Sequence, residues 1–412
     1  MHDNILARFL GIPNHKPGSI YFLDERGNST AIDDKVETVV IELFRISGQY
    51  MCPCGKLLDN YYDYTERFIR DLSWGPWNKV ELLVPRFRVN CSDCGVKTEP
   101  LDWIVRNCTY TKRFADAVSL ACTEIRSISA ISESFNISWH TVKEIDSRRL
   151  NAELNPPDFS GLKLLGIDEF AIRKGHEYAT VFVDLKRSKV VWICKGRDKA
   201  AVCDVFKNVF GKSVCDKIKA VAMDCWRSYE YAVKEYMKEA EIVFDVFHII
   251  QNYNRDVIDR VRRNTFNDKR KHLQQREFKR YRFLILKNPC SLKNDEPAKL
   301  KELFRYNKHI CKAYIMRDAL KKLWEYKYAA CAEKWLTSWS NMAINSKILP
   351  LVNFGKRIIK HLHGIVSHCK YPISTASVEG INNKIKVIKR VAYGFRDEEY
   401  FFLKIRKHFN RH

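Results

Sequence analysis

The chain has 412 residues, too many for one small domain, and its 46% hydrophobic and 12% aromatic content excludes a largely disordered protein. Its 72 lysines and arginines against 49 aspartates and glutamates give a formal net charge of +23, so a polyanion is the expected partner. No apolar run approaches the roughly 20 residues of a membrane span, and the first residues lack a signal-peptide pattern, which favours nucleic acid over a membrane surface.

Two cysteine pairs are spaced for metal binding. Cys52 and Cys54 follow one strand-like run, at residues 36–45, and Cys91 and Cys94 end another; a glycine follows each pair. Two such knuckles are typical of a zinc ribbon, in which four thiolates hold one Zn²⁺. Only one residue separates the first two cysteines, so free thiols in a β-hairpin module are the alternative. Most other cysteines lie singly in apolar surroundings, as in a reduced interior.

Helical periodicity begins near Thr111 and continues to about Arg149. A short helix, a turn at residues 135–137, an N-cap at Ser138 and a second helix give the pattern of a helix-turn-helix. In that motif the start of the second helix contacts bases in the major groove. The residues predicted to contact DNA are Trp139, His140, Lys143 and Arg148. Two core helices of a bundle are the alternative.

Residues 151–162 carry a Pro-Pro pair and break the periodicity, which predicts a linker. After it the patterns predict three strands, a helix, a strand, a helix and a fifth strand. The predicted strands are 162–172, 176–185, 189–194, 218–224 and 241–247, with helices at 197–210 and 229–240. This is the order of the ribonuclease-H-like fold, an antiparallel meander whose first strand also pairs in parallel with later strands.

Three acidic residues stand out on that architecture. Asp168 would lie within the first strand and Asp224 at the end of the fourth, side by side at one edge of the sheet. Two carboxylates so close together repel each other, which is energetically costly unless a divalent cation neutralises their charge. Glu379 begins a basic helix that would place DNA phosphate beside it, through Lys384, Lys386, Lys389 and Arg390. Each acid alone could simply end a strand or favour a helix N-terminus. Neither explanation accounts well for Asp168, because a buried apolar strand disfavours an unpaired charge.

Further motifs accompany the cysteine knuckles and the helix-turn-helix: Gly166-Ile-Asp-Glu, His176-Glu-Tyr178, Asp224 with Ser228-Tyr229, Phe244-Asp-Val-Phe-His248, and Glu379-Gly-Ile-Asn-Asn-Lys-Ile-Lys-Val-Ile-Lys-Arg-Val-Ala-Tyr-Gly-Phe395. Together these motifs resemble the ISL-three (ISL3) family of bacterial insertion-sequence transposases. The resemblance covers most of residues 50–405 and implies that Asp168, Asp224 and Glu379 form a catalytic, magnesium-binding triad. The chain departs from the family at its Cys-x-Cys knuckle and at Ser-Thr-Ala-Ser-Val before Glu379.

The resemblance implies an enzyme that binds the terminal inverted repeats of an insertion sequence, then cleaves DNA and transfers strands. Two Mg²⁺ or Mn²⁺ ions would serve this chemistry in each active site, and one Zn²⁺ would sit in the cysteine module. The expected partners are double-stranded DNA at transposon ends and target, with the protein a homodimer or higher oligomer in the bacterial cytoplasm, on the nucleoid and away from membranes. The alternatives are a catalytically silent, domesticated transposase that binds specific DNA, and a nuclease without strand transfer.

Far more residues separate Asp224 from Glu379 than one strand and one helix need, which predicts a helical insertion. The full prediction is a multidomain α+β chain: a zinc-ribbon-like module at 1–108, a helix-turn-helix at 109–150, a linker at 151–162, a ribonuclease-H-like α/β catalytic domain at 163–263 and 350–412, and a helical insertion at 264–349. The basic stretch between Arg260 and Lys287 is predicted to lie along DNA, with a solvated helix face as the alternative. His248 would orient a phosphate or carboxylate, or serve only as a hydrogen-bonded structural histidine.

Overall fold

A computed structural model of the chain describes residues 10–32, 35–124, 126–173, 175, 177–266, 281–373, 376–392, 395 and 397–409. Its contacts divide the chain into two compact units. The first is Met1–Leu154 with Ile388–Arg396, and the second is Asn155–Val387 with Asp397–His412. The division after Leu154 lies inside the segment 151–162 that the sequence marks as a linker. The motif residues His176, Ser374, Tyr393 and Gly394 and the basic stretch 267–280 lie outside the described residues.

The first unit contains a five-stranded sheet and a two-stranded one. The strands are β1 (His15–Leu23), β2 (Thr38–Arg45), β3 (Tyr50–Met51), β4 (Leu57–Leu58), β5 (Asp63–Asp71), β6 (Lys79–Cys91) and β7 (Gly95–Thr98). β2 pairs in parallel with β6, β1 and β5 flank them, and β7 pairs with the end of β6. Alternate residues of β2 and β6, such as Val39, Ile41, Leu82 and Val84, are buried in one apolar cluster, as strand periodicity requires.

Helices α1 (Lys112–Ala121), α2 (Ile128–Phe135) and α3 (Trp139–Glu153) follow these strands in the first unit. α2 ends because Asn136 adopts a left-handed backbone with φ of 47°. α3 begins at Ser138, whose hydroxyl accepts a hydrogen bond from the Thr141 N–H at 3.1 Å. Val118, Ile131, Val142 and Ile145 pack together and hold the three helices. The predicted helix, turn, cap and second helix are therefore confirmed.

The second unit is built on a five-stranded sheet. Its strands are β8 (Leu164–Arg173), β9 (Glu177–Asp184), β10 (Lys189–Lys195), β11 (Ala220–Met223) and β12 (Glu241–Phe244). The spatial order is β10-β9-β8-β11-β12, with β8, β9 and β10 antiparallel and β11 parallel to both β8 and β12. The fifth strand ends at Phe244, three residues before its predicted end, because the Asp245 carboxylate accepts the Phe247 N–H at 2.9 Å and starts a helix there.

Helices surround this sheet and follow it along the chain. They are α4 (Lys199–Asp204), α5 (Gly211–Cys215), α6 (Arg227–Tyr236), α7 (Val246–Tyr253), α8 (Asp259–Phe266), α9 (Arg282–Leu286), α10 (Glu296–Tyr306), α11 (Lys308–Lys321), α12 (Ala329–Ile344), α13 (Leu349–Lys360), α14 (Leu362–Val366), α15 (Ala376–Val391) and α16 (Glu398–Phe409). Wider turns of π-helix at Val205–Phe210 and Asn254–Ile258 and short 3₁₀ turns connect some of them. Within the described ranges, no helix has the length and apolar character needed to cross a membrane.

One buried apolar cluster joins the sheet to the helical segment. It includes Phe244 of β12, Tyr253 of α7, Trp339 of α12 and Phe354 of α13. The Tyr253 hydroxyl donates to the Ala313 carbonyl at 2.8 Å, and the rings of Tyr253 and Phe354 lie 4.9 Å apart. The helices at 264–349 thus share a core with the sheet, and their separation as a distinct insertion domain stays a prediction.

Candidate active site

Three aspartates lie level with one another across neighbouring strands. The pairing of β8 with β11 sets Ala222 beside Gly166, and two residues further on this register places Asp224 level with Asp168. The pairing of β11 with β12 in turn places Asp245 level with Asp224. Because the strands are parallel, their carboxyl ends meet at the same edge of the sheet. The register therefore concentrates negative charge there.

Helix α15 closes over this edge and brings the third predicted acid. A cleft of about 300 Å³ is lined by Ile167, Asp168, Glu169, Met223, Asp224, Asp245, Phe247, His248, Gln251, Val378, Glu379, Asn382 and Lys386. The helix lies close to β8: a methyl group added at Gly166 would approach a Val378 methyl to 3.0 Å. Asp168, Asp224 and Glu379, which the sequence places far apart, thus line one cleft.

Asp168 is the most closely held of these acids. One carboxylate oxygen accepts the Glu169 backbone N–H at 2.8 Å, and the other accepts the side-chain amide of Asn382 at 2.6 Å. Burial raises the pKa of Asp168 to about 6, and the charges of Glu169 and Asp224 add to the increase, while His248 opposes it. Within the described part of the chain, no lysine or arginine forms an ion pair with Asp168, Asp224 or Glu379. In that part of the chain, the charge of these three acids is therefore not balanced by a lysine or arginine paired with them.

His248 faces the same cleft on helix α7. Its Nδ1 lies 2.7 Å from an Asp245 carboxylate oxygen. This hydrogen bond, followed by the charges of Asp224 and Asp168, outweighs partial burial and raises the pKa of His248 to about 9. The imidazole is therefore a cation at neutral pH. His248 thus lies in the cleft with a hydrogen bond to Asp245, an arrangement compatible with either of its two predicted roles.

Glu169 also lines the cleft and was not predicted as a site residue. Burial raises its pKa. Unlike Asp168, Asp224 and Glu379, it pairs with an arginine among the described residues: an Arg197 guanidinium nitrogen lies 3.3 Å from its carboxylate, and the Tyr229 hydroxyl donates to it at 3.4 Å. Arg197 also stacks on the Tyr178 ring, 3.9 Å from its centroid. This neutralised glutamate borders the cleft as part of its wall.

The four basic residues predicted on helix α15 have different surroundings. Lys386 lines the cleft, seven positions and thus about two turns after Glu379. Lys384 instead lies over the Phe409 ring, 5.9 Å from its centroid, on another side of the helix. Lys389 and Arg390 fall in the segment grouped with the first unit, and their role stays a prediction. Lys386 is thus the basic residue best placed to meet a phosphate in the cleft.

The predicted base-contacting residues lie at the start of helix α3. Trp139 is 46% exposed and its ring stacks on that of His140, with centroids 3.6 Å apart. Lys143 is half-buried one turn later. Arg148, predicted to contact DNA, forms an ion pair with Glu144 at 2.7 Å on the same helix. DNA contact by Arg148 would therefore require it to exchange or share this partner.

The four cysteines of the knuckles meet in the first unit. The sulfur atoms of Cys52, Cys54, Cys91 and Cys94 all lie within 4.8 Å of one another. Cys54 and Cys91 are separated by 3.9 Å, close to the ~3.8 Å edge of a tetrahedron with Zn–S bonds of 2.3 Å. Backbone N–H groups of Asp93 and Cys94 hydrogen-bond to Cys91 and lower its pKa to about 7, which favours the thiolate at this cysteine, whereas hydrogen bonds with the neighbouring thiols and burial raise the pKa of Cys94.

Comparisons with known proteins identify the family of this chain. A family model described as a transposase, of the ISL3 type, matches residues 165–405, and one described as the helix-turn-helix domain of transposase family ISL3 matches residues 99–150. The chain is 40% identical over 380 residues to the transposase for insertion sequence element IS1001 of Bordetella parapertussis, covering 92% of this chain and 93% of that protein. It is 27% identical over 356 residues to the transposase for insertion sequence element IS1557 of Mycobacterium tuberculosis, covering 80% and 78%. The chain belongs to the ISL3 family of transposases.

Proposed function

We propose that this protein is a DNA transposase that binds the terminal inverted repeats of its insertion sequence, cleaves DNA there and joins the ends to a target. The observation that carries the proposal is the convergence of Asp168, Asp224 and Glu379 on one cleft. These acids come from a strand, a strand end and a helix that are remote in sequence. Their arrangement suits phosphodiester chemistry by a metal-dependent Asp–Asp–Glu mechanism.

The sheet supports a ribonuclease-H-like core. Three antiparallel strands followed by two parallel strands, in the order β10-β9-β8-β11-β12, match the predicted meander. On this sheet Asp168 is in the first strand of the unit and Asp224 directly follows the fourth. Helix α15 then carries Glu379 back to the first strand after the long helical segment. We infer that the core binds the scissile DNA at this edge.

The donor set of the cleft fits divalent cations such as Mg²⁺ or Mn²⁺. Hard oxygen ligands are what these ions prefer, and Asp168, Asp224 and Glu379 offer carboxylates without a lysine or arginine partner among the described residues. Asp168, Asp224 and Glu379 would together hold these ions. When bound, the ions would activate water or a 3′-hydroxyl and stabilise the leaving oxygen.

The remaining cleft residues have roles that follow from their charge. His248, cationic through Asp245, and Lys386 would attract the DNA phosphate and hold it against the acids. Because a 3′-hydroxyl freed by cleavage can itself attack the target, no serine or tyrosine nucleophile is required. The same cleft would then serve cleavage and strand transfer in turn.

Recognition of the DNA ends would lie in the first unit. The proposal assigns Zn²⁺ to Cys52, Cys54, Cys91 and Cys94, where it stabilises the small module, and assigns base contacts to the start of α3. The net charge of +23 suits binding along DNA backbones outside these contacts. Two ends must be brought together for transposition, so the active form would be a homodimer or a higher oligomer on DNA.

A DNA-joining assay tests the proposal against its two alternatives. Purified full-length protein is incubated with Mg²⁺, a labelled duplex carrying the end of its own element, and a target plasmid. A transposase gives cleaved ends and labelled joined products, and a 3′-dideoxy end abolishes joining. Cleavage without joining would indicate a nuclease. Specific binding without cleavage would indicate a silent DNA-binding protein and would contradict the proposal.

A further inference from the structure

Asn382 contacts the first acid of the proposed triad directly. It lies on α15, three positions after Glu379, and lines the same cleft. Its side chain is buried, with 7% of the residue exposed, and its amide nitrogen lies 2.6 Å from an Asp168 carboxylate oxygen. A hydrogen bond of this length to a charged acceptor is among the stronger ones in proteins. The helix that carries Glu379 is thus tied to the strand that carries Asp168.

The chemistry of the pair fixes the orientation of the Asn382 amide. The opposite orientation would place the amide oxygen against a carboxylate oxygen, leaving two acceptors without a hydrogen between them. With the nitrogen facing Asp168, the carbonyl oxygen is buried and has no hydrogen-bond partner among the described residues. A buried oxygen of this kind is costly unless a ligand or an ordered water meets it.

The same contact constrains the Asp168 carboxylate. Each of its oxygens accepts one protein hydrogen bond, one from the Glu169 N–H and one from Asn382. Two donors on two oxygens prevent rotation of the carboxylate about its terminal bond. Since an ionised carboxylate oxygen has two acceptor positions, one position on each oxygen is left for a cation. The carboxylate is therefore held in place by two hydrogen bonds while each oxygen keeps an acceptor position that a cation could use.

Gly166 allows the helix to come near enough for this contact. A Cβ atom at Gly166 would lie 3.0 Å from a Val378 methyl and 2.8 Å from a Leu185 methyl. Val378 and Asn382 are four positions apart on α15, so they lie on the same face of the helix, one turn apart. The close packing of Val378 on Gly166 therefore sets the reach of Asn382 to Asp168, two residues further along the strand.

We propose that Asn382 is a positioning residue for the metal site: it fixes the Asp168 carboxylate and presents its carbonyl oxygen to the water shell of a divalent cation bound there. The choice of a divalent cation rests on the proposed function. The contact itself rests only on the geometry of α15 and β8. Residues that orient metal ligands in this way change metal affinity or activity by about 10- to 100-fold when they are replaced.

Two matched pairs of variants separate positioning from packing. Asn382→Leu keeps the approximate volume of the side chain and removes its amide. Asn382→Gln and Asn382→Met have nearly the same length and differ by the amide, so their comparison remains informative even if the leucine variant fails to fold. The control is Asn383→Leu, which makes the same change at the adjacent, exposed position of the helix.

The primary measurement is the binding of Mn²⁺ to the full-length chain, monitored through the electron paramagnetic resonance signal of the free ion. We expect Asn382→Leu to weaken Mn²⁺ binding about 10-fold or more, Asn382→Gln to bind more tightly than Asn382→Met, and Asn383→Leu to match the wild type. The Mg²⁺ concentration that gives half-maximal cleavage should be higher for the variants that bind Mn²⁺ more weakly. The affinity of these variants for DNA should be unchanged.

Equal Mn²⁺ binding by the wild type and Asn382→Leu, or by the glutamine and methionine variants, would overturn the proposal. If the wild type binds Mn²⁺ but does not cleave DNA, the proposed function is contradicted and the proposal for Asn382 is not, because the Mn²⁺ titrations do not depend on any DNA reaction. Absence of Mn²⁺ binding by the wild-type cleft would contradict both.

Discussion

The Nδ1 atom of His248 lies 2.7 Å from a carboxylate oxygen of Asp245. The other oxygen of Asp245 accepts the Phe247 N–H at 2.9 Å and thereby caps helix α7. Asp245 is thus fixed by the helix it starts, and it holds the His248 imidazole one turn later in the cleft. A cation is placed in this way opposite Asp168 and Asp224 without a lysine or arginine beside either acid.

This pair predicts a specific dependence of stability on pH. The pKa of His248 rises from 6.5 to about 9 in the folded protein, chiefly through Asp245. The stabilisation is therefore complete below about pH 6.5 and is lost as the pH rises through about 9. We expect His248→Gln to lower the free energy of unfolding by on the order of 2 kcal/mol more at pH 6 than at pH 9.5. Urea unfolding in magnesium-free buffer measures this, and a difference that does not change with pH would contradict it.

The cysteine cluster predicts about one zinc per chain. Because four sulfurs already lie within 4.8 Å of one another, removing one thiolate should release the metal and destabilise the module. Cys94→Ser should lose zinc in elemental analysis and unfold at lower temperature, whereas Cys331→Ser, at an exposed cysteine outside the cluster, should keep both. A folded, active wild-type preparation without zinc would show that the cysteines are ordinary thiols.

Strand and helix periodicity made much of this fold predictable. Buried residues alternate along the first part of β6, as in a strand with one buried face, whereas the continuous apolar character of β9 and β11 is that of strands buried on both faces. The cap at Ser138 and the turn at Asn136 are local signals, so the helix-turn-helix could be read directly. By contrast, β1 and β5 were not predicted, since β5, Asp63–Asp71, has the sequence DYTERFIRD and exposes most of its residues.

Contacts between distant segments could not be read from the pattern. Asn382 and Asp168 are 214 positions apart, and an asparagine beside exposed lysines on a basic helix gives no sign that it is buried. In the sequence Glu169 is only the neighbour of Asp168, because its partner Arg197 lies 28 positions away, in the loop between β10 and α4. The end of β12 could not be predicted either, because the local sequence allows Asp245 to continue the strand or to cap a helix.

The start of helix α3 predicts sequence-specific recognition. If His140 and Lys143 contact bases, each contact discriminates between sequences by ~1–3 kcal/mol. Alanine at either position should lower the preference for the element's own ends over random DNA, while affinity for random DNA changes less. Competition binding at two salt concentrations measures the ratio. An unchanged ratio would move end recognition to the cysteine module and leave helices α1 to α3 a structural or dimerisation role.

Lys386 predicts the opposite behaviour. A lysine that meets phosphate in the cleft contributes to any DNA and to the salt dependence of binding. Lys386→Ala should therefore weaken binding to specific and random DNA alike, flatten the salt dependence and slow cleavage. Lys334→Ala, which removes an exposed lysine of helix α12 outside the cleft, is the matched control. Normal cleavage by Lys386→Ala with an unchanged salt slope would remove Lys386 from the DNA path.

The central claim is that Asp168, Asp224 and Glu379 together carry the chemistry. Its most direct test is cleavage of labelled end DNA by Asp224→Asn at normal Mg²⁺, with binding to the same DNA measured in parallel. The amide keeps the shape of the side chain and removes the charge that a cation needs, so we expect cleavage to be abolished while end binding stays within about two-fold of the wild type. Retained cleavage by Asp224→Asn would contradict the assignment and would favour Asp245, level with it on the next strand, as the second acid.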